Sequence, residues 1–91
     1  MDIGYLLDEI RKNYSEGDRK VGPLFLLSVL SEEVGELNKA IRNNTNIGEE
    51  IADVLFITLS ISSYYGINPE DKIIEKYIRN AELTKNKWKD L

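Results

Sequence analysis

Four carboxylates at a repeated spacing are the residues best equipped for chemistry. Glu33 and Glu36 stand three apart, as do Glu50 and Asp53, and side chains three apart are neighbours on a helix surface. On two antiparallel helices joined by a short loop, such pairs face each other. Ionised carboxylates held together on a partly desolvated surface raise one another's pKa, and the cost of desolvation adds to the repulsion. A divalent cation offsets both terms. All-oxygen ligation favours Mg²⁺ or Mn²⁺ over Zn²⁺. The chain has no histidine and no cysteine, which excludes imidazole and thiolate metal ligands, disulfides, catalytic triads and His-based acid–base catalysis. A di-iron bundle built on Glu-x-x-His pairs is disfavoured for the same reason.

The charge pattern points to the same segment. The net charge is −4, and between Glu32 and Asp53 stand six acids (Glu32, Glu33, Glu36, Glu49, Glu50, Asp53) and two bases (Lys39, Arg42). The whole excess lies there; the remaining ten acids and ten bases cancel. No clustered positive charge is present of the kind that phosphate backbones require, so nucleic-acid binding is disfavoured. A single Glu-x-x-Glu on a helix is ordinarily a solvated face. Two such pairs, each continuing an apolar stripe with few bases nearby, argue for a site. Glu32 and Glu49 are rotated further from the stripes and are read as supporting or solvent-facing.

Four helices are expected to carry these residues, with no strand signal. The first, about Ile3 to Tyr14, repeats Ile3, Leu6, Leu7, Ile10 and Tyr14 at helical spacing and stops at Ser15-Glu16-Gly17-Asp18. Pro23, after Gly22, opens a second helix through Ile41. A polar stretch, Arg42-Asn43-Asn44-Thr45-Asn46, separates it from a third helix, Ile47 to about Tyr65, closed by Gly66. Asn68-Pro69-Glu70-Asp71 opens a fourth that runs to about Lys85 or beyond. In the second helix a core stripe, Leu27, Leu30, Val34, Leu37 and Ile41, lies beside Leu26, Val29, Glu33, Glu36 and Ala40. In the third, Ile47, Ile51, Val54, Thr58, Ile61 and Tyr65 lie beside Glu50, Asp53, Ile57, Ser60 and Tyr64.

With Leu55, Phe56 and Leu59 added, the third helix is apolar nearly all round, and four short helices can hardly surround it. The expectation is therefore an all-α, four-helix chain, a single domain over residues 1–91. Its antiparallel helical bundle is completed by oligomerisation, as a homodimer or homotetramer. The longest apolar run, Val54 to Ile61, is too short to span a bilayer, and the N-terminus lacks a signal pattern. No membrane partner and a cytoplasmic location are expected.

Ser31-Glu32-Glu33-Val34-Gly35-Glu36-Leu37, then thirteen residues from Leu37 to Glu49, then Glu50-Ile51-Ala52-Asp53-Val54-Leu55-Phe56 resemble the signature of the MazG-type nucleotide pyrophosphohydrolases, Glu-x-x-Glu followed by Glu-x-x-Asp. The resemblance covers about Leu24 to Asn80. It implies an all-α, usually oligomeric fold and Mg²⁺-dependent cleavage of a nucleoside triphosphate to the monophosphate and pyrophosphate. It also implies that Glu33, Glu36, Glu50 and Asp53 are the metal ligands and catalytic carboxylates, with Glu33 or Glu36 placed to take a proton from the attacking water. In similar proteins a Lys and an Asn four residues later lie near the nucleotide, a spacing matched by Lys76 and Asn80. A basic residue often follows three positions later, where this chain has Leu83, so Arg79, Lys72 or the tail lysines Lys85 and Lys87 are the other candidate phosphate contacts.

Lys76 and Arg79 have an ordinary alternative, surface pairing with Asp71, Glu75 or Glu82. Trp88, amid Lys85, Lys87 and Lys89, is read as packing across an interface in preference to stacking on a base. Beside the pyrophosphohydrolase reading stand two enzymes of the same fold and acidic motif, a phosphoribosyl-ATP pyrophosphohydrolase and an all-α dUTPase. From another class comes a non-catalytic helical dimerisation module.

Overall fold

The computed structural model describes residues 2–89. Every regular element among them is helical: α1 (Ile3–Val21), α2 (Pro23–Asn43), α3 (Ile47–Tyr64), the short α4 (Glu70–Ile73), a π-helical stretch (Ile74–Arg79) and α5 (Ala81–Trp88). The all-α expectation holds, while the anticipated fourth helix is divided into three pieces. Asn80, at φ −107° and ψ 32°, leaves helical geometry, and its side-chain amide donates to the Glu75 carbonyl at 2.8 Å, satisfying an acceptor at the break.

α1 begins where Asp2 accepts the Tyr5 N–H at 2.8 Å, an N-cap that satisfies one orphan donor. It does not stop at Ser15–Asp18 but continues a further turn and more to Val21. Gly17 remains helical, since a glycine inside a helix costs about 1 kcal/mol relative to alanine and packing outweighs it. The true stop is Gly22, at φ 84° and ψ 169°, a conformation open essentially to glycine alone. Pro23 then takes the first position of α2, where its missing N–H costs nothing.

α2 closes on Asn44 in the left-handed conformation (φ 53°). α3 ends as expected at Gly66 (φ 67°). There the Ile67 N–H donates to the Ser62 carbonyl at 2.9 Å and the Gly66 N–H to the Ser63 carbonyl at 3.0 Å, the pair of bonds that defines a Schellman stop.

α3 is the central helix, packed against α2 on one side and α1 on the other. Tyr14 and Phe56 meet edge to face with ring centroids 5.0 Å apart, tying α1 to α3. The core is small: Leu7, Ile10, Leu26, Ala40, Ile57 and Leu59 are its buried apolar side chains. The stripe expected to form the core of α2 is not the buried one. Leu27, Val34 and Ile41 are about half exposed or more, whereas Leu26 and Ala40, on the glutamate-bearing stripe, are buried. α3 behaves alike: Ile51 is exposed while Ile57 and Ser60, in line with Glu50 and Asp53, are buried. The two acid-bearing stripes are thus the ones that turn inward.

The chain from Glu70 to Trp88 packs chiefly on itself and shares no packing layer with α2 and α3. The resulting surface is large. At 7096 Å² it exceeds the roughly 5,400 Å² of a compact chain of this mass. The radius of gyration, 15.2 Å, exceeds the roughly 12 Å of a compact chain of this length. Among the described residues no helix is long and apolar enough to cross a membrane.

Candidate metal centre

The inward turn of the acid-bearing stripes brings carboxylates together across the α2–α3 hairpin. Glu33 from α2 and Glu50 and Asp53 from α3 each offer an oxygen within 4.8 Å of the others. Glu33 and Glu50 are half-buried and Asp53 is exposed. Helical spacing explains the partnership: Glu50 and Asp53 lie one turn apart on α3, and Glu33 stands opposite them on the facing stripe.

The electrostatics follow from that closeness. Partial burial, and then the charges of Asp53, Glu32 and Glu36, push the Glu33 carboxyl above the ordinary glutamate value of 4.5. Glu50 is pushed up likewise, first by partial burial and then by Asp53, Glu33, Glu36 and Glu49. Both causes disfavour the ionised form. No basic side chain forms an ion pair with any of these carboxylates among the described residues. A compact all-oxygen donor set with uncompensated negative charge fits a hard divalent cation.

Glu36 falls outside the trio. It is exposed, close enough for its charge to act on Glu33 and Glu50, and it lines a neighbouring cavity at the α2–α3 corner that it shares with Glu50. Glu32 and Glu49 are exposed and contribute repulsion from outside the cluster.

The motif carrying these residues is also recognised as a whole. Residues 22–82, more than half of the chain, match the MazG nucleotide pyrophosphohydrolase domain. This chain belongs to the MazG family. Among curated proteins none matches it. The match begins at the Gly22 bend and so contains both acid-bearing helices of the MazG domain, with α1 outside it.

The candidate phosphate contacts lie apart from the trio. Lys76, Arg79 and Asn80 sit on and just after the π-helical stretch, in the segment that shares no packing layer with α2 and α3. The acids expected to occupy Lys76 and Arg79 are taken or idle: Glu75 pairs with Lys72 and Glu82 with Lys85, each at 3.3 Å. The Lys76 ammonium lies 5.6 Å from the centroid of the Tyr77 ring. Trp88 is exposed and lines a cavity of about 510 Å³ with Tyr77, Ala81, Thr84, Lys85 and Lys89.

The basic side chain that does stand beside the carboxylates is Lys39, in the cavity shared by Glu36 and Glu50. Its signal in the sequence is its place three residues after Glu36, together with the polar stretch that follows.

Proposed function

We propose that this MazG domain is a Mg²⁺-dependent nucleoside triphosphate pyrophosphohydrolase that converts a (d)NTP to the (d)NMP and pyrophosphate. The convergence of Glu33, Glu50 and Asp53, with no basic side chain paired to them among the described residues, carries the reading, because a divalent cation would offset their mutual repulsion. Mn²⁺ would satisfy the same donor set. A divalent ion held there supplies neutralisation of the charge on the phosphates.

The chain's own groups do the remainder. In the reaction the water oxygen bonds to the α-phosphorus, the bond from that phosphorus to the bridging oxygen breaks, and the electron pair leaves with pyrophosphate. The proton of the water passes to a carboxylate. Glu33 and Glu36 are the candidate carboxylates to accept it.

We assign the working form to a homo-oligomer, a dimer or tetramer. The apolar side chains Leu27, Val34 and Ile41 of α2 and Ile51 and Leu55 of α3 are open to water in the single chain. The surface excess over a compact chain, about 1,700 Å², is of the size each subunit buries in an obligate homodimer, about 1,000–2,500 Å². Lys76, Arg79 and Asn80 are assigned to substrate binding within that oligomer, where a second copy can bring its C-terminal segment over the trio.

The deciding experiment is a screen for released pyrophosphate over canonical and modified (d)NTPs, dUTP and phosphoribosyl-ATP with Mg²⁺. Turnover of one of the last two alone would move the chain to the dUTPase or phosphoribosyl-ATP branch of the fold. Orthophosphate in place of pyrophosphate contradicts all three. A dimerisation module without catalysis predicts no turnover and no rise in melting temperature with Mg²⁺.

A further inference from the structure

Two apolar surfaces of the chain stand open, and they differ in kind. Between α1 and α3 runs a groove of about 290 Å³ walled by Leu6, Ile10, Tyr14, Leu55, Phe56 and Leu59, with Glu9 and Asn13 at its rim. Leu59 and Ile10 form its buried floor, while Tyr14 and Leu55 are half exposed. The second surface is one face of the C-terminal arm, Glu70–Trp88. There Tyr77, Ala81, Thr84 and Trp88 line a hollow of about 510 Å³ flanked by Lys85 and Lys89, and Trp88 is 65% exposed. The groove is apolar with a carboxylate at its edge. The arm is aromatic with ammonium groups at its edge.

The arm is braced within itself and held off its own body. The Thr84 hydroxyl donates to the Lys76 carbonyl at 2.8 Å across the break at Asn80, which keeps Tyr77 and Trp88 on one face. Its departure from α3 is set between Gly66 and Glu70. Gly66 takes the left-handed conformation (φ 67°), the Asn68 side-chain oxygen accepts the Glu70 N–H at 2.9 Å, and the Pro69 ring holds φ at −72°. On that course the arm shares no packing layer with α1, α2 or α3. A helical segment this short is marginal in water without a surface to pack on.

We infer that the aromatic face of this arm docks in the α1–α3 groove of a second copy of the chain, whose own arm docks reciprocally in the first. The inference rests on the oligomer proposed above and names one of its contacts. Charge selects the pairing. Glu9 and Asn13 stand four apart along the groove rim, and Lys85 and Lys89 four apart along the arm, so a docked arm sets ammonium groups against a carboxylate and an amide oxygen. The Lys85 pair with Glu82 is exposed on both sides and opposes the exchange little. Area agrees. Each chain carries about 1,700 Å² more surface than a compact chain of its mass, and a two-fold dimer covers an arm and a groove on both copies. A small molecule is a poorer occupant, because the groove lacks the convergent polar groups that orient one. From Asn80 to Trp88 a helix advances about 12 Å, about one helix width. An arm anchored by Trp88 on the α1 side of α3 therefore has the length to carry Asn80 toward the α2 side, where the trio lies.

The chain has no cysteine of its own, so two single-cysteine full-length variants, Asn13→Cys and Lys85→Cys, test the contact when mixed and mildly oxidised at micromolar concentration. Both positions are on the rims, so the apolar anchors stay in place, and only contact between copies can join the two variants. Their mixed disulfide should exceed by about tenfold that of Lys20→Cys with Lys85→Cys, since Lys20 is exposed on α1 outside the groove. Trp88, the only tryptophan, gives a second readout. Leu55→Lys places charge in the groove at a half-exposed position that the fold tolerates, as circular dichroism checks, and should shift Trp88 emission to the red. No excess of the mixed disulfide together with unchanged emission overturns the docking. An emission shift without the mixed disulfide overturns it too, by placing the arm on its own body, and a mixed disulfide without the shift overturns Trp88 as the anchor. A monomer in sedimentation removes the oligomer and the docking together. An oligomer that lacks both signals removes the docking alone, so the two failures are distinct.

Discussion

Glu33 and Glu50 are held in a state they do not favour. Their folded proton affinity is raised above the ordinary value of 4.5 by partial burial and by neighbouring carboxylates, so between that value and the raised one the folded chain binds more protons than the unfolded chain. Stability from these groups is therefore full below the ordinary glutamate range and lost as pH rises through the raised values. The metal-free protein should lose stability as pH rises above 4.5 through these two groups, and Asp18, raised by partial burial, acts in the same direction. Thermal melts across that range for wild type and Glu33→Gln/Glu50→Gln, compared as a difference, isolate the pair; a wild-type curve no steeper than the variant's contradicts the geometry. Glu50→Gln or Asp53→Asn alone should melt no lower than wild type without metal, since each removes a repelling charge. Each should lose the Mg²⁺-linked gain, which for wild type reaches about 2.7 kcal/mol at a hundredfold excess over Kd. Turnover should fall on the order of 100-fold or more. Ser60 gives a separate test in the core. Its hydroxyl is buried and has no partner among the described residues, so Ser60→Ala should raise stability by up to about 1–3 kcal/mol, read from urea unfolding.

Helices are where glycine separates structural positions from indifferent ones. Gly22 and Gly66 have φ of 84° and 67°, and a side chain at Gly22 is strained whatever space surrounds it. Gly22→Ala should cost about 1–3 kcal/mol, a fall of roughly 4–8 °C per kcal/mol for a chain of this size. Gly17 is helical, exposed and free of neighbours where a methyl group would stand, so Gly17→Ala should instead stabilise by about 0.5–1 kcal/mol. Equal melting temperatures for the two variants would contradict both assignments. These positions also mark how far the elements were legible in the sequence. Pro23, Gly66 and the polar Asn43–Asn46 corner are readable because each carries a local backbone constraint. The end of α1 is not, since Ser15–Asp18 has the composition of a stop but lacks the positive φ that ends a helix. Nor does periodicity tell which of two adjacent apolar stripes turns inward on α2, because Leu27-Val34-Ile41 is the more hydrophobic and yet the glutamate-bearing stripe packs on α3. The carboxylate pairs were legible from their i,i+3 spacing alone. The selection of Glu33 over Glu36 depends on the α2–α3 rotation, which spacing does not encode.

At the scale of the molecule, the open apolar face and the extended shape are the grounds for the proposed oligomer, which is directly testable. Sedimentation at micromolar concentration should give a dimer or larger species, and Leu27→Glu/Ile41→Glu should shift it to the monomer by placing charge in the interface. A folded wild-type monomer under those conditions would remove the oligomer. Trp88 is the only tryptophan and is exposed in the single chain. Its emission should shift to the red on dilution if it packs across the interface, and stay constant if it does not. The bend between α1 and α2 decides how such an assembly can be built. Small helical proteins often dimerise by exchanging a terminal helix, which needs the linker to straighten so that two helices fuse into one. Gly22 is followed by Pro23, whose ring disfavours helical geometry in the residue before it and would clash with the carbonyl of Arg19 in a continuous helix. Fusion is therefore disfavoured at that point, and the oligomer proposed for this chain is expected to keep each α1 packed on the α3 of its own copy.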